Sequence, residues 1–162
     1  MMLRPGVAAA AVLAMILVSA PPKYALNVGA TTPATVKAGQ NITIPIVLDM
    51  SGAAGADVGS LSFNLTWDAA KLSFVSGAAD PASGFTLVDN KTNAEPGGVI
   101  RAAGFTISTA TTTRTLYTLV LAAKRTTATA TTSVAASVMV GGDGRGKTIT
   151  IVPRNLTVNI TP

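Results

Sequence analysis

The sequence contains no cysteine and no histidine, and both absences narrow the chemistry that the protein can perform. Without cysteine there is no disulfide framework and no thiol nucleophile. Without histidine the chain lacks the commonest general base and the commonest nitrogen ligand of metal ions. The seven acidic residues are the candidates for the pair of carboxylates that a glycosidase needs. Most of these lie in predicted turns, and no two are placed as the facing carboxylates of a glycosidase. We therefore expect neither an enzyme nor a bound cofactor.

Charged residues make up only 12% of the sequence and aromatic residues only 4%. The net charge of +5 arises from a shortage of acids. The basic residues are scattered and are not interleaved with aromatic rings, as a nucleic-acid groove would require. After the N-terminal segment, no apolar run approaches the roughly 20 residues that a bilayer span needs. We expect no nucleic-acid partner and no stable membrane span once that segment has been removed.

The N-terminal segment has the layout of a secretory signal. Arg4 is the only charge before an apolar run from Val7 to Val18, and small residues and prolines follow that run. Cleavage after Ala20 is one candidate, and cleavage after Ala30 is a second. We expect residues 1–20 to be a signal peptide. If cleavage follows Ala30 instead, the signal peptide extends to residue 30. The protein is then expected to be secreted, either extracellular or at the cell surface.

The rest of the chain is a series of short segments in which apolar and polar residues alternate. In Ser60 to Val75 the apolar residues Leu61, Phe63, Leu65 and Trp67 alternate with polar ones, which is the period of a strand with one buried face. Similar segments recur about every ten residues. They predict an all-β fold, an antiparallel β-sandwich of eight or nine strands with jelly-roll topology. We assign it to residues 36–162 and interpret residues 21–35 as a tether or edge strand.

Few aromatic residues are available for stacking on sugar rings. By parity with neighbouring apolar positions we expect the core to contain Phe63, Trp67, Phe74 and Tyr117. That leaves Tyr24, Phe85 and Phe105 as the possible surface aromatics. They are too scattered in the sequence to predict a carbohydrate-binding platform.

One acidic residue, Asp143, lies in the glycine-rich segment GGDGRGK. The segment lacks the spacing and the strand-to-helix context of a phosphate-binding loop. A hairpin turn accounts for a single acid among glycines, so we predict no metal site, and calcium binding by this loop stays an open alternative.

Four segments occur in an order that resembles a cohesin domain, the jelly-roll module that binds dockerins in cellulosomes, and more broadly the cohesin-like and carbohydrate-binding-module superfamily. They read VKAGQNITIPIVLD, GSLSFNLTWDAAKLSFVSG, GGVIRAAGF and RTLYTLVLAAK. The most specific feature is Trp67-Asp68 followed by Leu72 and Phe74. The resemblance covers roughly Val36 to Ile160 and implies a non-catalytic module that docks a partner on a flat sheet face.

The resemblance also implies positions for the partner-binding residues. Ser60 and Ser62 stand where cohesins carry the Asn and Asp side chains that hydrogen-bond the dockerin. The polar side of the same strand continues with Asn64 and Thr66, and Arg101 is a candidate charged anchor nearby. We predict that these residues form the partner-binding face. The alternative is a sheet face that is merely solvated.

The leading hypothesis is a secreted, non-catalytic binding or scaffolding module. It would dock a dockerin-like protein partner in an extracellular assembly linked to polysaccharide degradation. One alternative is a carbohydrate-binding module that contacts polysaccharide directly. Another is a structural subunit of a cell-envelope layer or filament, which would self-associate by strand exchange through an unpaired N-terminal strand from about Leu26 to Val36.

Overall fold

The computed structural model describes residues 24–29, 33–52, 57–95, 97–110 and 112–162. Eleven strands and one short 3-10 turn, Pro81–Ser83, are assigned in these residues. The strands are β1 Ala25–Val28, β2 Ala34–Lys37, β3 Asn41–Asp49, β4 Val58–Trp67, β5 Leu72–Ala79, β6 Thr86–Asn90, β7 Val99–Ala110, β8 Arg114–Ala123, β9 Ala130–Gly142, β10 Val152–Arg154 and β11 Leu156–Thr161. None of the described residues belongs to a helix long and apolar enough to cross a membrane.

The strands form a sandwich of two sheets, so the predicted fold class is confirmed. One sheet has five strands in the order β10-β1-β3-β8-β5, and the other has six in the order β2-β11-β9-β4-β7-β6. The structure corrects the strand count from eight or nine to eleven. It also adds two parallel pairs, β1 with β10 and β2 with β11. These additional strands have only three or four residues, too few to show an alternating pattern in the sequence.

The N-terminal strand lies inside the fold. Strand β1 pairs with β3 on one side and β10 on the other, and the Leu26 side chain is 0% exposed. The expectation that residues 21–35 form a tether or edge strand is therefore wrong for β1. The premise of an unpaired strand from Leu26 to Val36 is wrong as well, because both β1 and β2 pair within their own chain. Residues 1–20, the predicted signal peptide, lie outside the described residues.

Pro45 lies in β3, an interior strand of the five-stranded sheet, although proline cannot donate to a ladder. It is tolerated because β1 ends opposite Ile46, so the strand has only β8 beside it at Pro45. Beyond the end of β1, the Gly29 amide donates to the Pro45 carbonyl at 2.8 Å. The register of β3 against β8 shifts between Ile46 and Val47. The strand is therefore irregular directly after Pro45 and Ile46.

The core lies between the sheets and contains the aromatic residues predicted from strand parity. Phe63 and Tyr117 are 0% exposed. Trp67 is buried and stacks on the partly buried Phe74 with ring centroids 6.3 Å apart. The Tyr117 hydroxyl donates to Asp89 Oδ2 at 2.6 Å, which links β8 of one sheet to β6 of the other. This bond holds the edge strand of the six-stranded sheet against the core.

Candidate functional site

The predicted binding residues lie on the outer side of the six-stranded sheet, where β6, β7, β4 and β9 are neighbours. We call this surface the outer face. Except at Met139 and Val140, its members alternate along each strand with residues that point into the core. They are Thr86, Val88 and Asn90 on β6; Val99, Arg101, Ala103 and Phe105 on β7; Ser60, Ser62, Asn64 and Thr66 on β4; Ser137, Met139 and Val140 on β9.

Cross-strand register arranges these residues in rows, because directly paired residues share a face of the sheet. Ser62 pairs with Ala103 on one side and Val140 on the other. Asn64 pairs in the same way with Arg101 and Ser137. The structure thus brings Arg101 directly opposite a predicted site residue.

The other two predicted residues lie at the two ends of this arrangement. Ser60 is half-buried between Phe105 and Gly142. Thr66 is exposed and pairs with Val99. All five predicted residues therefore occupy one continuous surface, and their role in binding stays a prediction.

Large apolar side chains are concentrated on the outer face. Four of the six large hydrophobic side chains that are exposed among the described residues lie there: Val88 at 72%, Phe105 at 57%, Met139 at 64% and Val140 at 57%. Phe105 was expected as a surface aromatic and is confirmed as exposed. Tyr24 and Phe85, expected with it, are buried. An exposed apolar surface of this kind is typical of an interaction site.

The bulge in β9 turns Val140 to the outer face, where alternation alone would not place it. Ser62 pairs with Val140 and the next residue, Phe63, pairs with Val138, so Met139 is the extra residue. A bulge leaves one residue without a partner and interrupts the alternation of faces. Simple alternation after the inward-facing Val134, Ala136 and Val138 would place Val140 on the buried side, and the bulge turns it outward. The sequence contains no residue that marks this bulge, so a period-2 pattern could not reveal it.

A shallow depression of about 350 Å³ lies in the outer face. Its lining includes Ser62, Asn64, Arg101 and Met139. The Asn64 side-chain amide points across it, with its nitrogen 3.6 Å from the sulfur of Met139. The lining combines small residues such as Ser62 and Ala103 with larger side chains such as Val88 and Met139. Such a surface can receive a protruding group from another molecule.

Arg101 is the only charged residue among the members of the outer face. Asp89 lies at the edge of the depression, but it is committed to Lys91, 3.0 Å away, and to the hydroxyl of Tyr117. Burial, and then the hydrogen bond to Asp89, raise the pKa of Tyr117 above its ordinary value, so the hydroxyl stays a donor. The outer face is consequently neutral except for one positive charge.

The Asp143 loop adopts the predicted turn. Asp143 Oδ1 accepts hydrogen bonds from the amides of Arg145 at 2.9 Å and Lys147 at 2.8 Å, which stabilises the turn after β9. Among the described residues, no group of three or more acidic side chains is placed to hold a metal ion. The carboxylate therefore has a structural role in closing the turn.

Comparisons with known proteins agree on one family. The family model for the cohesin domain matches residues 26–160. A type I cohesin from Clostridium thermocellum, solved as a cohesin–dockerin complex, superposes with a TM-score of 0.70 at 15% identity, over 88% of this chain and 96% of that one. The sixth cohesin of Acetivibrio cellulolyticus scaffoldin B, solved with a mutant dockerin, gives a TM-score of 0.67 at 21% identity, over 85% and 98%.

A third similar structure is a non-cellulosomal cohesin from the hyperthermophilic archaeon Archaeoglobus fulgidus. It gives a TM-score of 0.69 at 16% identity and covers 86% of this chain and 92% of its own. The search of curated proteins returned no match. The solved structures therefore agree on the fold at low sequence identity.

Proposed function

Since this chain belongs to the cohesin family, we propose that it is a non-catalytic binding module that docks a dockerin-like domain of a partner protein on its outer face. The observation that carries the proposal is the concentration of exposed apolar side chains on that face. The cohesins from Clostridium thermocellum and Acetivibrio cellulolyticus described above were solved in complex with dockerins.

The physical character of the outer face supports docking of a protein. Covering Val88, Phe105, Met139 and Val140 removes apolar surface from water, which favours association by about 25 cal/mol per Å². The surrounding Ser62 and Asn64 can exchange water for hydrogen bonds to a partner at little cost in side-chain entropy. The cores of protein–protein interfaces are likewise depleted in charge and rich in apolar contacts.

We further propose that the module is exported and works in an extracellular assembly linked to polysaccharide degradation. The apolar segment from Val7 to Val18 supports export because it follows a single basic residue and precedes small residues. Scaffoldin B, the source of one similar structure, supports a scaffolding role. The non-cellulosomal cohesin of Archaeoglobus fulgidus shows that members of the family also occur outside cellulosomes, so the polysaccharide link needs its own test.

Two valines allow a matched test of the docking face. Val88 is 72% exposed on the outer face, and Val75 is 47% exposed on β5, an edge strand of the other sheet. A yeast-displayed library of dockerin domains would be sorted with the purified domain, and the selected binders titrated by calorimetry. We expect Val88→Asp to weaken binding at least about tenfold, because a buried unpaired charge is strongly unfavourable. Val75→Asp should leave binding within about twofold.

Two results would contradict the proposal. One is a library from which no dockerin binds at micromolar concentration, and the other is an equal loss of affinity in both valine variants. The same preparation would be titrated with soluble polysaccharides. Sugar binding without dockerin binding would favour a carbohydrate-binding module.

A further inference from the structure

We infer that the partner presents an acidic side chain to Arg101, so that one charged pair is enclosed by neutral and apolar contacts. This inference rests on the proposed function and adds the chemistry of the partner. It follows from the charge distribution on the outer face, where Arg101 is exposed and stands in the row formed by Asn90, Asn64 and Ser137.

Arg101 takes part in none of the three ion pairs among the described residues. These join Lys71 to Asp68, Lys91 to Asp89 and Arg154 to Asp49. The neighbouring Asn90 uses its side-chain oxygen to accept from the amide of Thr92 at 3.0 Å. No acidic residue belongs to the outer face. The guanidinium group therefore needs a counter-charge from outside the chain when water is excluded from this surface.

The surroundings of Arg101 favour a carboxylate on a protein partner. A guanidinium group matches a carboxylate in bidentate geometry, and apolar side chains such as Val88 and Met139 would exclude water around the pair. A nucleic acid would need several phosphate contacts, whereas the outer face offers one cation. A second copy of this chain fits poorly, since a two-fold contact through this face would bury two arginines and supply no acid to pair either of them.

The inference predicts the polarity of the interaction. Reversing the charge with Arg101→Glu should weaken dockerin binding at least about 100-fold, because it leaves two carboxylates facing each other in a water-excluded site. Arg101→Gln removes the charge while keeping a polar side chain, so a smaller loss of about tenfold is expected. Both substitutions are at an exposed strand position and should leave the unfolding midpoint unchanged.

The experiment uses dockerins selected from the displayed library with the natural sequence as bait. Each would be titrated by calorimetry against the natural domain, Arg101→Glu, Arg101→Gln and the control Lys124→Glu. Lys124 is exposed directly after β8, a strand of the other sheet, so this control makes the same change in net charge away from the outer face. The final arm replaces each Asp or Glu of the selected dockerin with Lys, one at a time, and tests binding to Arg101→Glu.

The outcomes separate this inference from the function on which it rests. A 100-fold loss with Arg101→Glu, a near-normal Lys124→Glu and recovery by one acid-to-lysine dockerin variant would support it. Dockerin binding that changes by less than about twofold in Arg101→Glu, or a loss that no dockerin charge reversal recovers, would overturn it and leave the proposed function standing. A library without any binder would overturn both.

Discussion

Removing strand β1 should abolish or severely weaken folding, although sequence patterning placed this segment outside the domain. The perturbation is a chain that begins at Thr31, compared with one that begins at Pro21. The shorter chain lacks Leu26 and Val28, which are 0% and 1% exposed in the folded protein. It also leaves β3 and β10 without the strand that lies between them.

The magnitude follows from burial. Burying one leucine or valine side chain contributes about 1.5–3 kcal/mol, so Leu26 and Val28 together contribute about 3–6 kcal/mol. Tyr24 and Ala25 are also buried and add to this loss. A domain of this size has a net stability of about 5–15 kcal/mol. The shorter chain should therefore keep little or none of that stability.

Urea unfolding followed by circular dichroism would measure the difference. We expect a cooperative transition for the chain that begins at Pro21 and either no transition or a much lower midpoint for the chain that begins at Thr31. Leu26→Ala in the longer chain should cost about 2–5 kcal/mol, and the volume-conserving Leu26→Met less than about 1.5 kcal/mol. Equal midpoints for the two chain lengths would refute the argument that β1 belongs to the core.

The same reasoning distinguishes the two candidate cleavage positions. Cleavage after Ala30 would remove β1, whereas cleavage after Ala20 would keep it. We therefore predict that the exported protein keeps Tyr24 to Val28. Intact mass measurement of the secreted domain would check this, and a mature chain that starts at Thr31 yet folds cooperatively would contradict it.

Two further predictions concern the link between the sheets and the close packing of β7. Tyr117→Phe removes the hydrogen bond to Asp89 and should cost about 1.5–3 kcal/mol in urea unfolding; an unchanged midpoint would mean that the bond contributes nothing. The pKa of Tyr117 is raised in the folded protein, so above the ordinary pKa of about 10 the unfolded chain loses this proton more readily than the folded one. The free energy of unfolding should therefore fall as the pH rises above about 10. The fall that is due to Tyr117 should be absent in Tyr117→Phe. Gly104→Ala would place a Cβ 2.6 Å from the carbonyl oxygen of Thr86, so it should lower the thermal midpoint, and a variant as stable as the natural domain would contradict this packing.

The sandwich could be predicted from local pattern because its long strands each have one buried and one wet face. Strand β4 is the clearest case, since Leu61, Phe63 and Leu65 are all buried as alternation requires. Strand β1 could not be predicted, because four residues are too few to show an alternation of apolar and polar positions. Its position is determined by pairing with β3 and with β10, whose first residue, Val152, is distant in the sequence.

The candidate site was only partly predictable for a related reason. Local alternation could assign Ser62, Asn64 and Arg101 to the wet sides of their own strands, but it could not show which residues are paired across strands. The pairing of Asn64 with Arg101 depends on register between distant segments. The exposure of Val140 depends on the bulge in β9. The polar part of the face was therefore predicted, and most of its apolar part was not.

The outer face combines small residues with larger apolar side chains and one arginine, and this combination suggests that different residues supply affinity and specificity. Ser62 and Ala103 pair in the middle of the surface, and their small side chains allow a close approach of another backbone or side chain. Affinity would then come from covering Val88, Phe105, Met139 and Val140, which are apolar and discriminate poorly between partners. Arg101 would discriminate, because a partner without a carboxylate at that position must bury an unpaired charge. The serines would therefore act through their small size as much as through their hydroxyl groups.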